Sequence, residues 1–234
     1  MSPPRFLPLI TFVLAPVLGN AHPYASGISN NAGNISFILN ESADNVTVVF
    51  DGGGTGNTNN LGALAKGVRS FALSGHTSYS IIVTKAGSGS ISQTSSDATA
   101  GCQYFGPRGV AVNNNPKTPN FGRIYIPNAN PGTVPSGRAT TKGLYVVNAD
   151  QSDAIGQGNT AKTAGVTWNT TGGASVGNTY SPYRLSVGPD DSVFVSEAMS
   201  NTCTIYLIDP DLNTSTMLLA PAGLVTPGAN IGSP

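Results

Sequence analysis

Only two histidines, His22 and His76, and two cysteines, Cys102 and Cys203, occur in the 234 residues, so inventory bounds the chemistry open to this chain. Processing that left His22 first would place its α-amino nitrogen and imidazole together. With the His76 imidazole these would be three nitrogen ligands for copper, a histidine brace suited to copper-dependent oxidation. Against that, Pro23 follows His22, and His76 stands in a Ser/Gly/Thr loop that gives no sign of positioning it. A second constellation is carboxylate. Asp190, Asp191 and Glu197 flank one short apolar run, and Asp150, Asp153, Asp209 and Asp211 close two others. Hard oxygen ligands of this kind suit a divalent ion such as calcium or magnesium. The competing reading is that Asp at strand exits forms turns by accepting backbone hydrogen bonds, and Gly-Pro-Asp-Asp and Asp-Pro-Asp are ordinary turn sequences.

A Ser-His-Asp triad in the second half is excluded by the position of the two histidines, and Gly87-Ser-Gly-Ser-Ile91 lacks the strand-to-helix context of a nucleophile elbow. Gly52-Gly-Gly-Thr-Gly56 has no Lys-Ser/Thr to hold a phosphate and reads as a hairpin loop. No Cys/His spacing suits structural zinc; in an oxidising compartment Cys102 and Cys203 have the option of pairing, which sequence leaves open. Trp168, the sole tryptophan, lies in a polar stretch among an aromatic-rich middle and is the candidate ligand-binding residue, with carbohydrate stacking as its chemistry and strand packing as the alternative for its aromatic neighbours.

The elements that would position these groups are strands. Charged residues make up 9% of the chain, Gly and Pro are abundant, and the eleven basic and eleven acidic residues balance, so a basic footprint for nucleic acid or anionic lipid is absent. Residues 1–21 read as a signal peptide: Arg5, an uncharged run from Phe6 to Leu18 interrupted by Pro8 and Pro16, then Gly19-Asn-Ala21. That run is too short to span a bilayer, and no later run is long and apolar enough to do so. The expected destination is therefore secreted, periplasmic or cell-surface.

From 22 to 86 alternating runs predict an antiparallel sandwich: Ile35, Phe37 and Leu39 on one face of a strand, Val46, Val48 and Phe50 on one face of the next, then Val68 to Leu73 and Tyr79 to Thr84. The run Ile81-Ile-Val83 suggests a strand covered on both faces, and Leu61 to Lys66 is the one hint of helix. Residues 87–100 read as a Ser/Gly/Thr-rich linker. Beyond them the phrases around Val112, Ile124 and Leu144 recur around Val187, Val193 and Ile205, at offsets of 75, 69 and 61 residues. That is an internal repeat with variable loops, the pattern of radially repeated antiparallel sheets, with Met217-Leu-Leu219 as an outer strand of the second unit.

These phrases carry a resemblance. Phe105-Gly-Pro-Arg-Gly-Val-Ala-Val112, Phe121-Gly-Arg-Ile-Tyr-Ile126, Gly143-Leu-Tyr-Val-Val-Asn-Ala-Asp150 and Ser181-Pro-Tyr-Arg-Leu-Ser-Val-Gly-Pro-Asp-Asp191 resemble blades of NHL-type β-propellers in exported bacterial proteins. Phe37-Ile-Leu-Asn-Glu-Ser-Ala-Asp-Asn-Val46 and Leu61-Gly-Ala-Leu-Ala-Lys-Gly67 resemble the Ig-like module of flagellar hook-cap proteins. The resemblance implies an all-β chain: an Ig-like β-sandwich over 22–86, then a partial propeller of about two blades over 101–234. Propellers of this type close with about four to eight blades. Completion elsewhere in a longer protein, assembly of several copies, and an open two-sheet structure with covered edges are the three alternatives.

The function expected on these grounds is non-catalytic binding or assembly at the cell surface or in the periplasm, with a protein or a carbohydrate as partner and no cofactor. A metal-dependent propeller hydrolase of the lactonase kind, using a divalent ion on Asp190, Asp191 and Glu197, is the alternative, and copper chemistry at His22 and His76 the remote one.

Overall fold

In a computed structural model the described residues are 22–86, 95, 99–168, 181–199 and 202–219. The signal-peptide reading for 1–21 and most of the linker therefore lie outside the described residues. The chain is all-β, built from several antiparallel sheets, none of which closes into a barrel among the described residues. No helix among the described residues is long and apolar enough to cross a membrane.

The first six strands are β1 (Ala25–Asn31), β2 (Asn34–Leu39), β3 (Ala43–Phe50), β4 (Thr58–Leu64), β5 (Gly67–Ala72) and β6 (Tyr79–Thr84). They form two three-stranded sheets, ordered β1-β2-β5 and β4-β3-β6. Alternation places Ile35, Phe37 and Leu39 of β2 and Val46, Val48 and Phe50 of β3 inward, where they meet Phe71 of β5 in one buried cluster. Each such side chain removed from water contributes about 1.5–3 kcal/mol. Two expectations change. Residues from Leu61 lie in strand β4, not in a helix: the segment is too short to nucleate a helix and pairs along β3 instead, with Gly62 at positive φ where the register shifts. The Ile81-Ile-Val83 run belongs to edge strand β6, and Ile82 points out of the sheet, 49% exposed.

The second half carries β7 (Ala111–Val112), β8 (Ile124–Asn128), β9 (Gly132–Thr133), β10 (Ala139–Thr140), β11 (Gly143–Val147), β12 (Arg184–Val187), β13 (Val193–Met199), β14 (Thr202–Ile208) and β15 (Ser215–Leu219). One sheet is ordered β11-β8-β7 and another β12-β13-β14-β15; β9 and β10 form a small hairpin. The repeated phrases occupy matching places, since β7, β8 and β11 follow one another across the first sheet as β12, β13 and β14 do across the second. Where the second sheet has β15 outermost, the first has residues 153–162, which bridge to β11 at Leu144–Lys162 and Val147–Asp153.

The two sheets share a core. Tyr125, Leu144 and Val146 from one meet Val193, Val195 and Ile208 from the other, with Ala164, Val166, Trp168 and Leu212 filling between. Because Tyr145 and Val147 on the opposite face of β11 pack with Ile126 and Tyr104, that strand is buried on both faces. Its continuous apolar run requires this. Arg138 closes that side, its guanidinium 4.9 Å from the Tyr104 ring and donating to the carbonyls of Gln103 and Gly158. The sandwich touches the second half where the Tyr24 and Phe121 rings lie 5.3 Å apart; Gly122 is there at φ +82°, and a Cβ on it would come within 3.1 Å of Ser26 Cβ.

Candidate functional site

Strand direction sorts the candidate acids into two groups. β7 and β12 end, and β8 and β13 begin, at one end of the paired sheets, which gathers Asp190, Asp191, Asp209 and Asp211 there. Glu197 lies six residues along β13 from Asp191, about 20 Å away at 3.3 Å per residue. Asp190, Asp191 and Glu197 are therefore not brought together, and among the described residues no three His, Cys, Asp or Glu side chains converge as metal ligands.

The structure employs these acids one by one in turns. Asp191, 6% exposed and at φ +68°, accepts from Asn113 Nδ2 (2.7 Å) and Thr118 Oγ1 (2.8 Å) on one oxygen and Asn120 Nδ2 (2.8 Å) on the other. It thereby pins the 113–123 loop of the first sheet to the β12–β13 turn of the second. Asp190 is exposed and accepts from Ser192 Oγ and N–H. Asp209 accepts from the N–H groups of Asp211, Asn213 and Thr214, and Asp153 from those of Ile155, Gln157 and Gly158. Burial opposes ionisation of Asp153 and Asp209, yet the backbone donors prevail and hold both carboxyls below the usual range. Asp211 pairs with Arg123 at 2.7 Å, and Asp150 accepts from Ser152.

His22 and His76 lie at opposite ends of the sandwich. His22 precedes Ala25, which pairs with Leu39, whereas His76 follows Ala72, which pairs with Asn34 at the far end of β2. The length of β2 separates them, so the copper brace is not assembled. His76 has another employment: its ring stacks on Phe50 at 4.2 Å, and its Nδ1 lies 2.8 Å from Asp51 Oδ2. A carboxylate only accepts, so Nδ1 carries the proton. Asp51 also accepts from the N–H groups of Thr77 and Ser78, and His76 first, then those N–H groups, hold its carboxyl well below the usual range.

Trp168 is where sequence and structure diverge most. Read as part of a polar loop, it is 4% exposed, packed edge-on to Tyr206 at 5.5 Å in the shared core, with its Nε1 buried and without an acceptor among the described residues. Its ring is thus not a stacking platform. It does, however, line an open cavity of about 370 Å³ together with Lys142, Thr163, Gly165, Val166 and Thr167. The rim is a tight turn closed by Val166 N–H to Thr163 O at 2.9 Å, with Ala164 (φ 53°) and Gly165 (φ 76°) both left-handed. Glu197, 6% exposed, accepts from the buried Ser181 hydroxyl at 2.6 Å. Burial pushes the Lys142 ammonium down while Glu197 opposes the shift, and the Tyr206 phenol is raised by burial and then by Glu197. Lys142, Thr163 and Thr167 had no motif to announce them; the one signal is that Lys142 immediately precedes a repeated strand phrase.

Cys102 is a free, half-buried thiol whose pKa burial raises; the side chain of Cys203 lies outside the described residues. No protein family and no curated protein matches this chain.

Proposed function

We propose that this chain is a non-catalytic, exported binding protein of the cell surface or periplasm. The observation that carries the reading is the lining of its open cavity: hydroxyls, one ammonium and an apolar floor, with no carboxylate, histidine or thiol among the described lining residues. A hydroxyl nucleophile needs an adjacent general base, and no carboxylate or imidazole stands beside Thr163 or Thr167 among the described lining residues. The candidate partners are engaged elsewhere, Asp191 with three side-chain donors and Asp51 with His76. Small-molecule sites combine an apolar floor with a few placed polar groups, as this cavity does.

The test sets retention against turnover. Exported full-length chain is incubated with insoluble cellulose, chitin and peptidoglycan, and in parallel with lactone substrates in the presence of calcium. Saturable retention without turnover is the expected result. Calcium-dependent lactone hydrolysis would replace the binding reading with the hydrolase one.

A further inference from the structure

The cavity beside Trp168 has a shape and charge that select among ligand classes. Its volume, about 370 Å³, falls in the range of small-molecule sites, roughly 300–1,000 Å³. No carboxylate among the described lining residues offers a hard cation its oxygens. The ammonium of Lys142 is the one formal charge in that lining, and it lies within electrostatic reach of the buried Glu197. A lone ammonium, with no arginine or second lysine beside it among the described lining residues, lacks the convergent cations of an anion site. Thr163 and Thr167 are exposed on the rim, each hydroxyl able to donate and accept. Val166 and Trp168 form an apolar floor beneath them. A neutral polyhydroxylated ring matches this set, its hydroxyls meeting Thr163, Thr167 and Lys142.

The rim is also built stiff. Ala164 sits at φ 53°, a conformation that a residue with a Cβ rarely adopts, and it is 4% exposed, so packing holds the turn in place. Rigid rims lower the ordering cost of binding. We infer that the cavity between Lys142 and the Thr163–Trp168 turn is a subsite for a neutral saccharide; this rests on the binding reading above and names its ligand class.

Trp168 is the sole tryptophan and lies in the cavity wall, so its emission reports occupancy directly. The full-length exported chain is titrated with cellotriose, chitotriose and maltotriose, with trigalacturonate as the anionic arm. The inference expects a saturable change with at least one neutral trisaccharide, weakened tenfold or more in Lys142→Met and severalfold in Thr163→Val and Thr167→Val. The two threonine variants alter exposed side chains, so they keep the test open if Lys142→Met fails to fold. Absence of any saturable change, or a response to trigalacturonate alone, overturns it. A response that survives all three substitutions assigns the saccharide to another surface, overturning the cavity assignment while the binding reading stands. Lactone turnover without saccharide response overturns both.

Discussion

Replacing Asp191 by alanine separates a structural acid from a functional one. The substitution removes the acceptor of three side-chain hydrogen bonds at 2.7 to 2.8 Å and leaves Asn113, which is 0% exposed, with a donor aimed at nothing. Hydrogen bonds to a charged group contribute about 1.5–3 kcal/mol each, but the three share one acceptor and do not add. The φ of +68° adds about 1 kcal/mol of strain for alanine. The expected loss is about 3–5 kcal/mol. Asp191→Asn keeps one acceptor oxygen and tolerates the left-handed backbone, so it should lose about half as much. Urea unfolding followed through Trp168, which lies in the core shared by the two pinned sheets, measures this. With a slope of about 2 kcal/mol per molar urea, the alanine midpoint should fall by about 1.5–2.5 M. Asp190→Ala, in an exposed turn, is the control and should move it little. Equal midpoints for the two alanine variants would refute the assignment of Asp191 as the pin between sheets.

Three further outcomes are expected. Gly143→Ala should cost about 2–4 kcal/mol in the same urea assay, because φ is +135° and the new Cβ would stand 2.6 Å from the Lys162 carbonyl oxygen. Asp51, Asp153, Asp190 and Asp209 have folded values below their ordinary 3.8, so their contribution is complete above that value and is lost as pH falls through the lower folded ones. Thermal melts should therefore be flat from neutral pH down to about 4.5 and fall steeply below about 4, with Asp51→Asn and Asp153→Asn each blunting the fall. Leu218→Lys on β15, whose Met217, Leu218 and Leu219 are each about half exposed, should change stability by less than about 0.5 kcal/mol and lower light scattering at high protein concentration.

Much of the fold was legible because period and burial coincide. Ile35, Phe37 and Leu39 alternate, and all three are fully buried; the repeated phrases after Gly101 do occupy equivalent strands. What pattern alone does not carry is a strand's place in its sheet. Ile81-Ile-Val83 reads as a strand covered on both faces, yet it lies at an edge with Ile82 exposed, since β-branched runs satisfy either position. Leu61 to Lys66 reads as a trace of helix because local propensity is silent about the pairing along β3 that decides it. The candidate site was less legible still. Asp190, Asp191 and Glu197 are neighbours in sequence, but one strand length divides them, and sequence distance gives no warning of that. Trp168 reads as part of a polar loop, and its burial was not legible because the residues around it alternate with Ala164 and Val166, which turn inward with it. The threonines and the lysine of the cavity belong to no motif; only the folded turn puts them on one rim.

Asp51, Asp153, Asp191, Asp209 and His76 are employed in turns and loops, and among the described residues no three such groups converge on a metal. Elemental mass spectrometry of the full-length protein after gentle desalting tests this most directly. Copper, calcium and other divalent ions are expected well below one per chain. Near-stoichiometric copper would contradict the separation of His22 from His76, and near-stoichiometric calcium would contradict the structural employment of the strand-exit aspartates.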